Sequence, residues 1–399
     1  MTERLYYTDA YLTGFDAAVL GRADDGRRIY LDRTAFYPTS GGQPFDIGTL
    51  GAASVVDVID TAGDAETGEI LHVLDRALPE GTAVKGAIDR ARRLDHMQQH
   101  TGQHILSAAF ESRHQARTVS FHLGTEMSTI DLDREVGPAA VAAAELGANE
   151  VVWDNRPVGV RYASEAEAAG LPLRKESKRT GTLRLVEVPD CDLSACGGTH
   201  VPATGAIGII AITGTERFKG GLRVSFVCGA RALARFGRLR AAIDDSIKRL
   251  SVLPDELPAA IGRLQDDNKA LRQTMRAQQE TLAQSEAASL RAGGEQIGGV
   301  TLVAAHMPGW DAAGIKLLAS ILTQTPSTVA VLAGDGSPAP VVVARSDEGA
   351  LDAGGVLRQA IEELGGKGGG KPGMAQGAVS ATPAQAAEAI GSRARAALA

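Results

Sequence analysis

His96–Arg113, HMQQHTGQHILSAAFESR, marks the point at which the chain changes character. The stretch has no proline, one glycine and apolar residues at helical spacing, which predicts a helix starting near residue 94. Upstream, residues 1–93 read as strand-length apolar runs such as LYYTDAYLTGF, TLGAASVVDVID and GEILHVLD, broken by Gly, Asp and Pro. That spacing predicts a small β-barrel or sandwich. Downstream, strand patterns such as TVSFHLG, LRLVEV and LRVSFVCG mix with the helical stretches PAAVAAAELGANEVV and ARALARFGRLRAAIDDSIKRL. Residues 94–250 are therefore expected to form an α+β domain.

Residues 254–292 are rich in Gln, Ala, Leu, Arg and Glu, which predicts a helical linker. A heptad frame places Ile261, Asn268, Met275 and Leu282 at a, and Leu264, Leu271, Gln278 and Ser285 at d. The pattern fits two arrangements: a dimeric coiled coil with Asn268 as a register device, or a helix packed on its own protein. After RAGGEQIGG, strand (VTLVAAHM), helix (AAGIKLLASILTQT) and two strands (TVAVLAG, APVVVARS) predict a C-terminal α/β domain over 299–399. The fold class is thus α+β and multidomain.

Composition bounds the function. The chain has 399 residues, 44% hydrophobic and 22% charged, with a net charge of −7, as expected for a globular protein of several domains. No apolar run approaches the roughly 20 residues needed to span a bilayer, and MTERLYYTDA lacks a secretory pattern, so a cytoplasmic protein without a membrane partner is expected. Three cysteines in a chain of this length cannot form a disulfide framework and suit metal binding or nucleophilic chemistry in a reducing compartment. With aromatics at 4%, nucleic acid would be held by charge and backbone more than by stacking. Charge is uneven: residues 1–150 carry a net −10 and residues 151–250 a net +6. The basic stretch RKESKRTGTLR, with Arg174, Lys175, Lys178 and Arg179, is a candidate phosphate footprint or else a solvated face.

Two distant motifs carry chemistry. His100 and His104 lie four apart on the predicted helix, which puts both imidazoles on one face. Cys196-Gly-Gly-Thr-His200 adds a thiolate and an imidazole on a turn, and a donor set of nitrogen and sulfur favours zinc. His96 keeps an alternative helical pair open, His96 with His100.

HMQQHTGQHIL and CDLSACGGTHV resemble the editing domain shared by alanyl-tRNA synthetases and the free-standing alanyl-tRNA editing proteins called AlaX. FYPTSGGQPFDIG is similar to that family's glycine motif, and GGKGGGKPGMAQGAV resembles the glycine-rich signature of the DHHA1 domain. The resemblance runs from about residue 5 to the end and implies four parts. These are an N-terminal β-barrel with the glycine motif (1–93), a zinc-dependent editing domain (94–250), the linker (254–292) and a DHHA1-like domain (299–399). It implies Zn2+ on His100, His104, Cys196 and His200. Nothing in the chain resembles the adenylating domain of a synthetase, so a long-form editor acting in trans is expected.

The implied activity is hydrolysis of serine mischarged on tRNA-Ala. Size cannot reject the alanyl ester, because alanine fits any pocket that admits serine; recognition of the hydroxyl can. Thr39, Ser40 and Gln43, flanking Gly41 and Gly42, supply polar groups where the family has its specificity motif, and glycyl esters should be poorer substrates. An ordinary hairpin turn explains the two glycines alone. Thr101, Asp190 and Thr199 adjoin the implied ligands in sequence and are candidates for supporting or substrate contacts, or for local capping. The C-terminal glycine run mimics a phosphate loop from Gly365, but Pro372 stands where Ser or Thr must meet magnesium, so ATP is not expected as a partner. Lys367 and Lys371 with the glycine backbone could instead cradle tRNA phosphates. A homodimer through the linker or C-terminal domain is a further expectation. The rival readings are an editor of another tRNA, a non-catalytic RNA-binding or synthetase-associated protein with a structural zinc, and a general zinc hydrolase. The first stays open because threonyl-tRNA synthetase editing domains share the ligand spacing.

Overall fold

The computed structural model describes residues 2–61, 68–81, 83–174, 181–346 and 351–399. The chain divides into two compact units, residues 1–245 and 246–399.

In the first unit six strands close a barrel: β1 (Gly14–Ala23), β2 (Arg28–Leu31), β3 (Gly48–Leu50), β4 (Ala53–Asp60), β5 (Ile70–Leu74) and β6 (Ala83–Ile88). Their order is β1-β2-β5-β4-β3-β6, closed back on β1. Closure leaves no open edge, and Ile29, Leu31, Leu50, Val55, Val58, Ile70 and Leu74 fill the interior. One polar ring is buried among them. His72 Nδ1 donates to the Ile29 carbonyl (3.2 Å) and Nε2 accepts from the Thr34 hydroxyl (2.8 Å). Burial pushes this imidazole down to about 4.

The decisive helix, α1, spans Arg90–His114, its first turn capped by the Asp89 carboxylate accepting from Arg92 N (3.0 Å). Every residue from Gln99 to Phe110 is buried. A helix wrapped on all sides needs no single apolar stripe, which is why polar residues are distributed around it. It packs on α2 (Pro138–Trp153) and on a four-stranded antiparallel sheet. That sheet runs β12 (Ile210–Phe218), β13 (Gly221–Cys228), β8 (Ser128–Leu132), β7 (Thr118–Leu123). A three-stranded sheet, β9 (Gly159–Ala163), β10 (Leu183–Val188) and β11 (Asp192–Ala195), delivers the chain to Cys196.

A buried ion pair joins barrel and helix. Arg93 and Asp46 are each 1% exposed; Arg93 Nε donates to Asp46 (3.1 Å), while its two terminal nitrogens donate to the carbonyls of Ala10 (2.7 Å) and Ala35 (2.5 Å). Asp46 also accepts from Tyr37 N (2.7 Å), so both charges are surrounded by partners.

Helix α3 (Gly229–Leu250) crosses the division between the units and leaves Leu233, Phe236 and Leu239 exposed. In the second unit the 36-residue α4 (Leu257–Ala292) buries Ala260, Ala283 and Ala287, while the heptad positions Ile261, Leu264, Leu271, Met275 and Leu282 are exposed. The remaining elements are β14 (Glu295–Ile297), β15 (Val300–Met307), α5 (Ala312–Leu322), β16 (Thr328–Gly334), β17 (Ala339–Arg345), α6 (Ala353–Leu364), β18 (Gly366–Lys371), β19 (Met374–Val379) and α7 (Pro383–Leu398). They form a mixed six-stranded sheet, β14-β15-β16-β17-β19-β18. Strict alternation sorts its two faces. Val329, Val331, Val341 and Val343 meet α6 and α7, and Ala330, Leu332, Val342 and Ala344 meet α5 and the end of α4.

The glycine run whose spacing mimics a phosphate loop is the edge strand β18, hydrogen-bonded to β19. Gly368 and Gly370 are required by closeness: a Cβ on Gly370 would lie 2.4 Å from Ala375 Cα. Among the described residues no helix is long and apolar enough to cross a membrane.

Candidate metal centre

His100 and His104 project from consecutive turns of α1 toward the turn that follows β11, where Cys196 and His200 sit. One potential ligand atom from each of the four residues lies within 4.8 Å of all the others. Cys196 Sγ is 3.4 Å from His100 Nε2 and 3.3 Å from His200 Nε2. Gly198 makes the approach feasible: a Cβ there would lie 2.1 Å from His100 Cε1. Gly198 N also donates to the sulfur (3.4 Å). His96, the alternative helical partner, is buried outside this cluster, and its Nδ1 has no partner among the described residues.

Each imidazole is held from behind. His100 Nδ1 donates to Gln43 Oε1 (2.9 Å), His104 Nδ1 donates to Asp192 Oδ2 (2.7 Å) and His200 Nδ1 is hydrogen-bonded to Thr101 Oγ1 (3.2 Å). A proton on Nδ1 leaves the Nε2 lone pair free on the side facing the sulfur. Asp192 is itself fixed: its second oxygen accepts from Arg174 and from Ser194 Oγ (3.0 Å). Thr101 Oγ1 also accepts from Val201 N (3.2 Å).

The electrostatics follow from burial and pairing. Burial raises the Cys196 thiol, but the His100 and His200 rings beside it outweigh burial and hold it well below the usual thiol range. Burial pushes His200 down to about 3. For the coupled pair, burial opposes both charges, yet the Asp192 carboxylate raises His104, and His104 with Arg174 lowers Asp192. Three buried imidazoles and one partly buried thiolate can hold a metal ion.

The glycine motif lies beside this cluster. Ser40 and Gln43 close a tight hairpin through mutual backbone bonds, with Gly41 and Gly42 at φ +53° and +80°. Gly42 O accepts from Leu123 N (3.3 Å), and a Cβ on Gly42 would strike the Phe121 ring at 2.7 Å. Phe121 in turn lies 5.9 Å from the His100 ring. Thr39 is exposed, with Oγ1 accepting from Phe45 N (3.2 Å). Ser40 is half-buried, and its carbonyl accepts from Tyr37 Oη (3.1 Å). Gln43 is fully buried, and its amide is engaged with His100 and with Thr199, which is also fully buried.

Asp190 lies exposed in the β10–β11 turn at φ +55°, and it is Asp192, two residues on, that reaches His104. Sequence reasoning missed Asp192, Asp46 and Arg93. The available signal for Asp192 was a carboxylate four residues before Cys196, and strand alternation in β11 turns it inward. Arg174 is ion-paired to Asp192 and largely buried. Lys175, Lys178 and Arg179 lie outside the described residues. Lys367 and Lys371 are exposed on the edge strand β18.

Comparison with known proteins matches residues 183–224 to the family described as the threonyl and alanyl tRNA synthetase second additional domain, and residues 299–399 to the DHHA1 domain. The alanine–tRNA ligases of Methanosarcina mazei and Natronomonas pharaonis are 32% and 37% identical over 94% of this chain, which spans 42% of their length. The alanyl-tRNA editing protein AlaX-L of Pyrococcus horikoshii is 31% identical over 96% of both chains. With that similarity running through the barrel, the four-residue cluster and the C-terminal sheet alike, the chain belongs to the alanyl-tRNA editing protein family.

Proposed function

We propose that this chain is a trans-acting deacylase that hydrolyses serine mischarged on tRNA-Ala, using Zn2+ held by His100, His104, Cys196 and His200. The observation that carries the reading is the convergence of three buried imidazoles, each with Nδ1 occupied from behind, on one partly buried thiolate. That donor set fits zinc in ligand type, count and supporting bonds. When bound, the ion supplies Lewis acidity toward the ester carbonyl and its attacking water. The protein residues orient the ligands: Gln43, Asp192 and Thr101 hold the rings, and Arg174 holds Asp192.

Selectivity for serine rests on its hydroxyl. Thr39 and Gln43 spend their side chains on Phe45 N, His100 and Thr199, whereas Ser40 Oγ makes no hydrogen bond among the described residues. Ser40, with the Gly41–Gly42 backbone beside it, is the reader we assign. A polar group left unpaired by the alanyl ester supports discrimination of up to about 10⁴-fold. The tRNA is held by phosphate contacts, with Lys367 and Lys371 on the exposed edge of β18 as contributors. The exposed heptad face of α4 supports a homodimer through this helix, which sedimentation of wild type against Leu264→Lys/Leu271→Lys tests.

The test of function is release of labelled amino acid from Ser-tRNA-Ala and Ala-tRNA-Ala, with and without a zinc chelator. Chelator-sensitive release of serine and not alanine is expected. Absence of release from both by folded, zinc-loaded protein would favour an RNA-binding role instead.

A further inference from the structure

Gln43 belongs to the barrel half of the first unit, 57 residues before His100, yet its side chain is fully buried against the metal cluster. Its Oε1 accepts from two donors, His100 Nδ1 (2.9 Å) and Thr199 N (3.1 Å), and its Nε2 donates to Thr199 Oγ1 (2.8 Å). A backbone N–H can only donate, so the Thr199 contact fixes which end of the amide is oxygen. The same oxygen therefore fixes the proton of His100 on Nδ1 and leaves Nε2 as the lone-pair nitrogen. The loop that carries Gln43 is pinned on both sides. Asp46, three residues on, is bonded to Arg93, which lies seven residues before His100 and so two turns down α1. Gly42 O, on the other side, accepts from Leu123 N in β7.

We propose that Gln43 is a positioning residue that sets the tautomer and orientation of His100 for the metal, and so makes the barrel a structural part of the metal centre. The inference rests on the reading of the four-residue cluster as a zinc site. It assigns the glycine motif a second task besides facing substrate: the two glycines form a turn tight enough to return the chain into the protein, and the next residue enters the cluster. The three rings are backed by different groups, an amide, a carboxylate and a hydroxyl. His100 is thus the ligand whose backing comes from outside the editing half, and its hold on the metal depends on the barrel being docked.

Full-length protein is stripped of metal and reloaded, and Zn2+ affinity is measured by competition with a chromophoric chelator. Visible absorption of the Co2+ form is recorded alongside. Gln43→Met, similar in size and without the acceptor, is expected to weaken Zn2+ about 10–100-fold and to alter the Co2+ spectrum. Gln43→Glu keeps an acceptor for both donors, and the Thr199 hydroxyl can rotate to donate to it, so its affinity should equal or exceed that of wild type. Thr199→Val removes only the Nε2 contact and should change affinity less than about threefold. Unchanged affinity and spectrum in Gln43→Met overturn the proposal, and so does a tenfold loss in Gln43→Glu, which decides the matter if Gln43→Met does not fold. Wild type that binds no Zn2+ or Co2+ refutes instead the reading of the cluster as a metal site.

Discussion

The two units are built on opposite kinds of interior. Around α1 and in the barrel, the buried residues include Thr34, Gln43, Asp46, His72, Arg93, His96, Gln99, His100, Gln103, His104, Asn149, Asp192, Thr199 and His200. In the second unit the buried polar residues among those described are Thr328 and Ser346, and both faces of the sheet are lined with Val, Ala, Leu and Ile. An apolar interior tolerates exchanges of similar volume, whereas in a polar one the loss of a partner leaves a desolvated group behind. The first unit therefore ties stability to site geometry: the bonds that satisfy its buried groups also aim the metal-facing rings. The second carries no such constraint.

The largest expected effect tests that contrast at its most polar point. Arg93→Ala leaves Asp46 buried and uncompensated and should cost about 3–5 kcal/mol. Hydrogen exchange resolved by peptide should show the loss within residues 1–245, and equal loss of protection in 246–399 would break the comparison. Acid comes next. His72 in the fold titrates at about 4 and in the unfolded chain near 6.5, so the unfolded state binds a proton that the folded state refuses. Its contribution is complete above pH 6.5 and falls by about 3 kcal/mol as pH drops to 4. His72→Gln should flatten that part of the stability profile, and an unchanged slope would contradict the assignment.

A smaller effect is expected at the hairpin. Gly42→Ala combines φ +80° with a contact of 2.7 Å to Phe121 and should cost about 1–3 kcal/mol, more than Gly41→Ala, which meets no atom within 4 Å. Equal losses would mean that the turn, and not its docking on β7, sets the cost. The smallest concerns the exposed face of α4. In a protomer alone, Leu271→Ser should change stability by no more than about 0.5 kcal/mol, and a larger, concentration-dependent loss would reveal a partner on that face.

Much of this was legible in one dimension. Strand-length runs between turn residues predicted a barrel or sandwich, and six strands within them close into a barrel. The i, i+4 histidines and the Cys-x-x-x-His turn named four side chains that the fold brings within 4.8 Å. The spacing of the glycine run mimics a phosphate loop from Gly365, and Pro372 speaks against that reading. The run is a strand paired with β19, which lies too near for any side chain on Gly368 or Gly370. Asp192 was passed over for Asp190, since only the register of β11 decides which of two nearby carboxylates points inward.

The sequence by itself determined the periodicities, the turn positions and the identity of the candidate ligands, because those depend on neighbours a few residues away. Tertiary structure decided which polar groups are buried and what they face. Gln43 and His100, Asp46 and Arg93, and Asp192 and His104 are separated by 57, 47 and 88 residues, and no local rule pairs them. Such pairs form because folding removes each group from water, and a desolvated donor or acceptor is stabilised by a partner that the same chain path delivers to it.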